Sequence, residues 1–398
     1  MKSDTSVMGS VAAYSPGRLV PIAIGGAVVG AVGLVVCAAL DGGAALSAYL
    51  VAYAYWFTLA VGALIFLMTC NAMRAGWPVL LRRLLEATSA VLPALAVLAV
   101  PLFVFVARLY PWASPAPLTD EHVLHLLEHK RPYLNVPFFV GRGIVYVIVW
   151  SAVAQALRAW SVRKDRDAGA PVEPKILAAS AVLLPLVGLT FSFASFDWLM
   201  SLTPTWVSSM FPVYVFGGGF LAALALLTVL TRLADTRGLV RGVSSSHYYA
   251  LGRLLLAFVI FWAYAGFFQF LIIWIADKPD EVAYFVPRMQ GPGGVVSMVL
   301  IVFHFVVPFA ILLNYRIKRD GRRLARVAAL LLVVHYVDVH WLVAPSVRGG
   351  ATWRVADLFA ALFVTGVVVL AGALRQRGLA LVPLHDPQLA EALRYDSV

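Results

Sequence analysis

Charge is scarce in this chain: only 13% of its 398 residues are Asp, Glu, Lys or Arg, about half the share a soluble protein carries. Cysteine is scarcer still. Cys37 and Cys70 stand alone, each in apolar sequence, so no CxxC or CxxCH spacing exists to hold an iron–sulfur cluster or a covalently attached haem. No small-residue cleavage site follows the first apolar segment, which therefore reads as a retained span and not as a removed signal peptide. What is plentiful is apolar sequence: 62% of the chain is hydrophobic, in runs too long and too many to be buried cores of two or three soluble domains.

The expected fold is all-α, a polytopic membrane protein of about ten transmembrane helices. Spans are expected near 19–40, 46–70, 87–109, 138–160, 176–201, 206–233, 250–276, 293–317, 324–345 and 355–375, each close to or above the ~20 residues that cross the hydrocarbon. Residues 1–18 and 376–398 are then tails flanking a membrane domain at 19–375. The net charge of +11 is not spread evenly. With the N-terminus inside, 23 of the 31 Lys and Arg fall in or beside inner segments and 7 beside outer ones. That asymmetry is the positive-inside signature. It places both termini in the cytoplasm and makes the basic charge a record of topology, with no nucleic-acid partner implied.

The chain is organised around residues 190–220, TFSFASFDWLMSLTPTWVSSMFPVYVFGGGF, where two apolar segments meet across a short connection. Asp197 sits in the last turns of the first, and a carboxylate within apolar sequence calls for a partner and usually a function. Trp198 and Trp206 flank the crossing as interfacial anchors, and Gly217, Gly218 and Gly219 permit close helix approach. Pro93 and Pro101 are expected to kink the third span. In the longest outer loop, His122, His125 and His129 share one face of an amphipathic helix, read as a docking surface for a partner in preference to a metal site.

Sorting the polar residues by depth puts Arg142, Asp197, Asp338, His340, Arg354 and Asp357 in the outer half of the membrane, with His304 and His335 near its middle. The inner half offers little beyond Gln155, Asn314 and Glu86. An outer cluster of Asp, His and Arg beside aromatics suits a quinol, whose hydroxyl protons need bases, and suits a proton-exit path equally well. Asp197 is the expected proton carrier, with His335 and Asp338 continuing inward. Structural readings stand beside these: Arg142 and Asp197 as a register-fixing ion pair, Asp338 as a support for His335, and Arg354 and Asp357 as interfacial anchors. A b-type cytochrome would require His304 and His335 as its axial pair.

KRPYLNVPFFVGRGIVYVIVW, FASFDWLMSLTPTWVSSMFPVYVFGGGF, LGRLLLAFVIFWAYAGFFQFLIIW and HYVDVHWLVAP together resemble the polysulfide-reductase-like (NrfD-type) membrane subunits. The resemblance runs from about the second span to the ninth and is greatest to the ten-helix, ActF-type subunits of alternative complex III, a bacterial quinol:cytochrome c oxidoreductase. It implies two four-helix bundles, helices 2–5 (46–201) and 6–9 (206–345), with helices 1 and 10 peripheral. It implies a bacterial inner-membrane location and, as partners, a larger homologous NrfD-type subunit, a periplasmic iron–sulfur protein, c-type cytochrome subunits and membrane lipid. It implies no covalently bound cofactor, with quinol or menaquinol as the exchangeable ligand, and quinol oxidation centred on the larger partner. Asp197, Arg142, His335 and Asp338 match polar positions for which the family implies a proton-conducting or quinone-facing role. The remaining alternative is a structural anchor without chemistry of its own.

Overall fold

The computed structural model describes residues 13–114 and 121–397. The first twelve residues of the expected N-terminal tail and the side chain of His122 lie outside the described residues. The described residues contain ten helices long and apolar enough to cross a membrane, and no strands: α1 Leu19–Leu40, α2 Gly42–Ala72, α3 Val79–Val104, α4 Val136–Arg166, α5 Glu173–Leu202, α6 Phe211–Thr236, α7 Ser245–Ala276, α8 Gly291–Leu313, α9 Gly321–Arg348 and α10 Val355–Gln376. The chain is an all-α, multi-pass membrane protein.

Apolar residues surround α2 on every face, and a helix of that kind must be buried on every face; 94% of its most apolar window is buried, against 11% for α1. Around this hub, α3, α4 and α5 close one ring of packed helices, while α6 to α9 close a second. The rings meet where α2 crosses α6. Helix α10 packs on the free side of α2, and α1 packs on α10. The α2–α6 crossing depends on two glycines: a Cβ on Gly62 would lie 2.9 Å from the Gly219 carbonyl, and one on Gly219 would lie 2.8 Å from the Thr58 backbone. Gly219→Val should therefore force the two rings apart and destabilise the solubilised protein by about 1–3 kcal/mol, the usual cost of overpacking. A thermal melt checks this against Gly141→Val, where nothing lies within 4 Å and no change is expected.

Helix α3 departs from its expected limits in an instructive way. It begins at Val79, not near 87, because Arg83 is not a loop charge. Arg83 is buried and donates to Glu86 at 2.6 Å and to Asp165 of α4. Downstream, α3 breaks into shorter pieces at Ala90–Val91 and again at Ala99. Pro93 and Pro101 each fall in the first turn of a new piece, where a missing N–H costs nothing. In α8 the turns Ile301–Val306 widen to π-helix just before Pro308, and His304 rides on that bulge.

The C-terminal segment, expected as a tail, lies across the end of the bundle where α2 meets α3, α4 meets α5 and α6 meets α7. Asp386 pairs with Arg82, Gln388 donates to the Arg74 carbonyl at 2.7 Å, and Ser246 donates to Asp396 at 2.6 Å. Two backbone hydrogen bonds join Tyr14 to Gly378 and Leu379. The charge pattern makes this the expected inner end. The opposite end, where α5 gives way to α6, holds the polar clusters described next.

Candidate functional site: three buried carboxylates

Asp197, at the close of α5, is fully buried. Arg142 of α4 grips it with both arms, Nε to Oδ2 and Nη2 to Oδ1, each at 2.8 Å. Tyr146, one turn beyond Arg142, adds its hydroxyl at 2.7 Å. The guanidinium also stacks on Tyr133 at 3.8 Å and Phe138 at 4.2 Å. Such a fork-to-fork pair fixes orientation as well as charge. It ties α4 to α5 beside an aromatic core in which Trp198 touches Tyr53, Phe57, Phe103, Tyr146 and Trp150.

Asp357, in the first turn of α10, is gripped in the same manner by Arg348, at 2.7 and 2.9 Å. It also accepts from the Arg354 backbone N–H at 2.8 Å, as acidic residues do at helix starts. Arg348 reaches on to Ser47 of α2 at 2.6 Å, so one guanidinium joins α9, α10 and α2. The Arg354 side chain turns outward to Asp41 at 2.5 Å. Beside this clamp His340 is buried and stacked flat on Trp353, with ring centroids 3.8 Å apart. Neither ring nitrogen makes a hydrogen bond to a side chain among the described residues, and Asp357 Oδ2 stands 3.8 Å from Nε2. An apolar recess of about 790 Å³, lined by Val295, Val299, Val337 and Trp353, opens next to the stacked pair.

Asp338 of α9 differs from both. It is buried, yet its partners are neutral: the Tyr214 hydroxyl donates to Oδ1, and the Trp262 indole donates to Oδ2 at 3.1 Å. Two imidazoles complete the group. His335, one turn earlier on α9, has Nδ1 3.8 Å from Asp338 Oδ2 and Nε2 3.3 Å from the Thr58 hydroxyl of α2. His304 is fully buried, packs on Trp262 at 4.1 Å and on His335 at 6.3 Å, and makes no hydrogen bond at either nitrogen. Gly218 of α6 lets this cluster close, since a Cβ there would lie 3.1 Å from Asp338 and 3.2 Å from His335. Asp338 lies ten residues from the end of α9, or about 15 Å in from the α5–α6 end.

The structure thus brings together Asp197 with Arg142, Asp338 with His335 and His304, and His340 with Asp357. Of the two ring nitrogens of His335, Nε2 lies 3.3 Å from the Thr58 hydroxyl, and its ring centroid is 6.3 Å from that of His304. Among the described residues no group of three His, Cys, Asp or Glu is placed to hold a metal; in the helix Glu121–Lys130 the His125 and His129 rings stack 6.3 Å apart.

One expectation fails. Buried charge is not confined to the outer half, because Arg83, Glu86 and Asp165 form a buried ionic group at the opposite end. One-sidedness therefore does not separate function from packing.

Apart from Arg142, sequence reading missed the residues that hold the acids. Tyr146 falls four residues after Arg142, on the same helical face, and that spacing was available. Tyr214, Trp262 and Arg348 carry no such signal. It also missed Arg288, buried outside the spans, which donates to the Tyr284 and Leu342 carbonyls and to Ser346 and stacks on Tyr284 at 3.5 Å. Burial pulls its guanidinium below the ordinary value, opposed by the phenols of Tyr284 and Tyr214. Compared with known protein families and with curated protein sequences, the chain matches none.

Proposed function

We propose that this chain is a membrane subunit of a quinol:cytochrome c oxidoreductase of the alternative complex III type, seated in a bacterial inner membrane with both termini cytoplasmic, and that it handles protons through Asp338. The observation that carries the proton-handling role is a contrast among three buried acids. Asp197 and Asp357 are each locked by a bidentate arginine, whereas Asp338 meets a phenol, an indole and one imidazole, His335, with His304 behind it. A charge locked in an ion pair at low dielectric is costly to neutralise. A carboxyl held by neutral donors, with one imidazole 3.8 Å away and a second beyond it, can take or give a proton without breaking an ion pair. The first two acids hold helices together; the third is built to change protonation.

The basic asymmetry of the loops supports the orientation, and the motifs quoted above support the complex. The quinone-facing part of the reading rests on the apolar recess beside Trp353. A quinol seated there would release protons on oxidation, with His340 as the nearest buried base. In this reading the larger homologous subunit, the iron–sulfur protein and the c-type cytochromes carry the electrons.

The assembly is tested by mild-detergent purification of the tagged chain from its native membrane. The expected preparation contains c-type haem and iron in fixed ratio to the chain and reduces cytochrome c with quinol. A chain that purifies alone, or in a haem-free assembly, removes it from the respiratory complex.

A further inference from the structure

At the other end of the molecule, α3, α6 and α10 surround an apolar cavity of about 350 Å³ beside α2. The volume is at the small end of ligand pockets. Its polarity is graded along one axis. Trp56, Val91, Leu226 and Val368 line the deep part; Tyr14, Arg237 and Gln376 line the part toward the C-terminal segment. From Gln376 back to Val368 is eight residues of α10, or about 12 Å of depth.

The polar part has two features that packing does not explain. Gln376 is only 3% exposed, yet among the described residues neither its amide oxygen nor its nitrogen finds a hydrogen-bond partner. An amide left so costs a few kcal/mol unless something meets it. Arg237, just past the end of α6 at the rim of the slot, is exposed and has no ion pair among the described residues. A buried unpartnered amide, a cation at the rim and an apolar slot behind them match an amphiphile with an anionic head, a hydrogen-bonding collar and an alkyl tail.

We infer that this cavity is a binding site for one anionic phospholipid of the leaflet next to the C-terminal segment. One acyl chain lies between α3, α6 and α10, the ester carbonyl accepts from the Gln376 amide, and the phosphate faces Arg237. About 28 Å of α10 separates Gln376 from Asp357, so the site is remote from the proposed proton-handling cluster and its test does not depend on that reading.

Native mass spectrometry of the full chain released from detergent decides it, with dioleoylphosphatidylglycerol and dioleoylphosphatidylcholine as probes. The wild type should retain one phosphatidylglycerol per chain and prefer it about fivefold over phosphatidylcholine, the scale of one basic residue at an anionic surface. Arg237→Gln should abolish the preference while leaving some binding of both. Gly372→Leu, whose Cβ meets only Val91 at 3.5 Å, should fill the slot and remove retention of both lipids. A matching circular dichroism spectrum and melting curve would show that each variant is folded. Equal retention by Gly372→Leu and wild type would mean lipid bound elsewhere and overturn the proposal. Retention that rises when residues 1–12 are deleted would assign the slot to the chain's own N-terminus and overturn it too.

Discussion

Asp338→Asn should leave the protein folded and assembled while lowering quinol:cytochrome c turnover about 100-fold, the lower range of what a positioned acid–base group contributes. Asn keeps the shape: its amide oxygen can accept from the Trp262 indole while its NH2 donates to the Tyr214 hydroxyl, which reverses its role, so packing has little reason to change. What it cannot do is take or give the proton. His335→Gln should cause a smaller loss in the same direction, because it removes the imidazole beside Asp338 while keeping a partner for Thr58. Turnover is measured with decylubiquinol or a menaquinol analogue in the intact complex. An Asp338→Asn complex with wild-type turnover and proton release would leave the chain as an anchor.

Removing Arg142 alone should have the largest effect on stability. Arg142→Gln strands the fully buried Asp197 carboxylate with only the Tyr146 hydroxyl, at a cost of roughly 3–5 kcal/mol. The chain should then be lost from the membrane or from its complex. The double change Arg142→Gln with Asp197→Asn removes both charges and should restore assembly and turnover, because this pair serves α4 and α5 as a tie. Quantitative membrane blots and turnover of the recovered complex separate the outcomes. A double variant that assembles normally but does not turn over would return the proton-carrying role to Asp197.

The two predictions show where sequence was enough and where it was not. The ten spans were legible because length and hydropathy decide them, and α1 and α10 match their expected limits at nearly every terminal residue. The Arg142–Asp197 pairing was legible as a possibility, since two opposite charges at similar depth in adjacent antiparallel helices have few other partners. Four things were hidden. The start of α3 was lost because Arg82 and Arg83 look like loop charges until Glu86 and Asp165 are seen to pair with Arg83. The difference between Asp197 and Asp338 was invisible because it lies in what is absent around Asp338, an arginine, and absence of a contact has no periodicity. Tyr214 and Trp262 look like lipid-facing aromatics in apolar helices, and only the closure of the second ring turns their polar atoms inward. The C-terminal segment, too, has no hydropathy signal for its role as a strap, which arises from one ion pair and single hydrogen bonds to separate helix ends and loops.

Redox-triggered infrared difference spectroscopy of the assembled complex tests the central claim most directly, because it sees whether a particular carboxyl changes protonation during quinol oxidation. The expected result is a deuterium-sensitive carboxylic-acid band that appears or disappears on turnover in the wild type, persists in Asp197→Asn and is missing in Asp338→Asn. A spectrum in which that band survives Asp338→Asn, or is lost only with Asp197→Asn, would contradict the account.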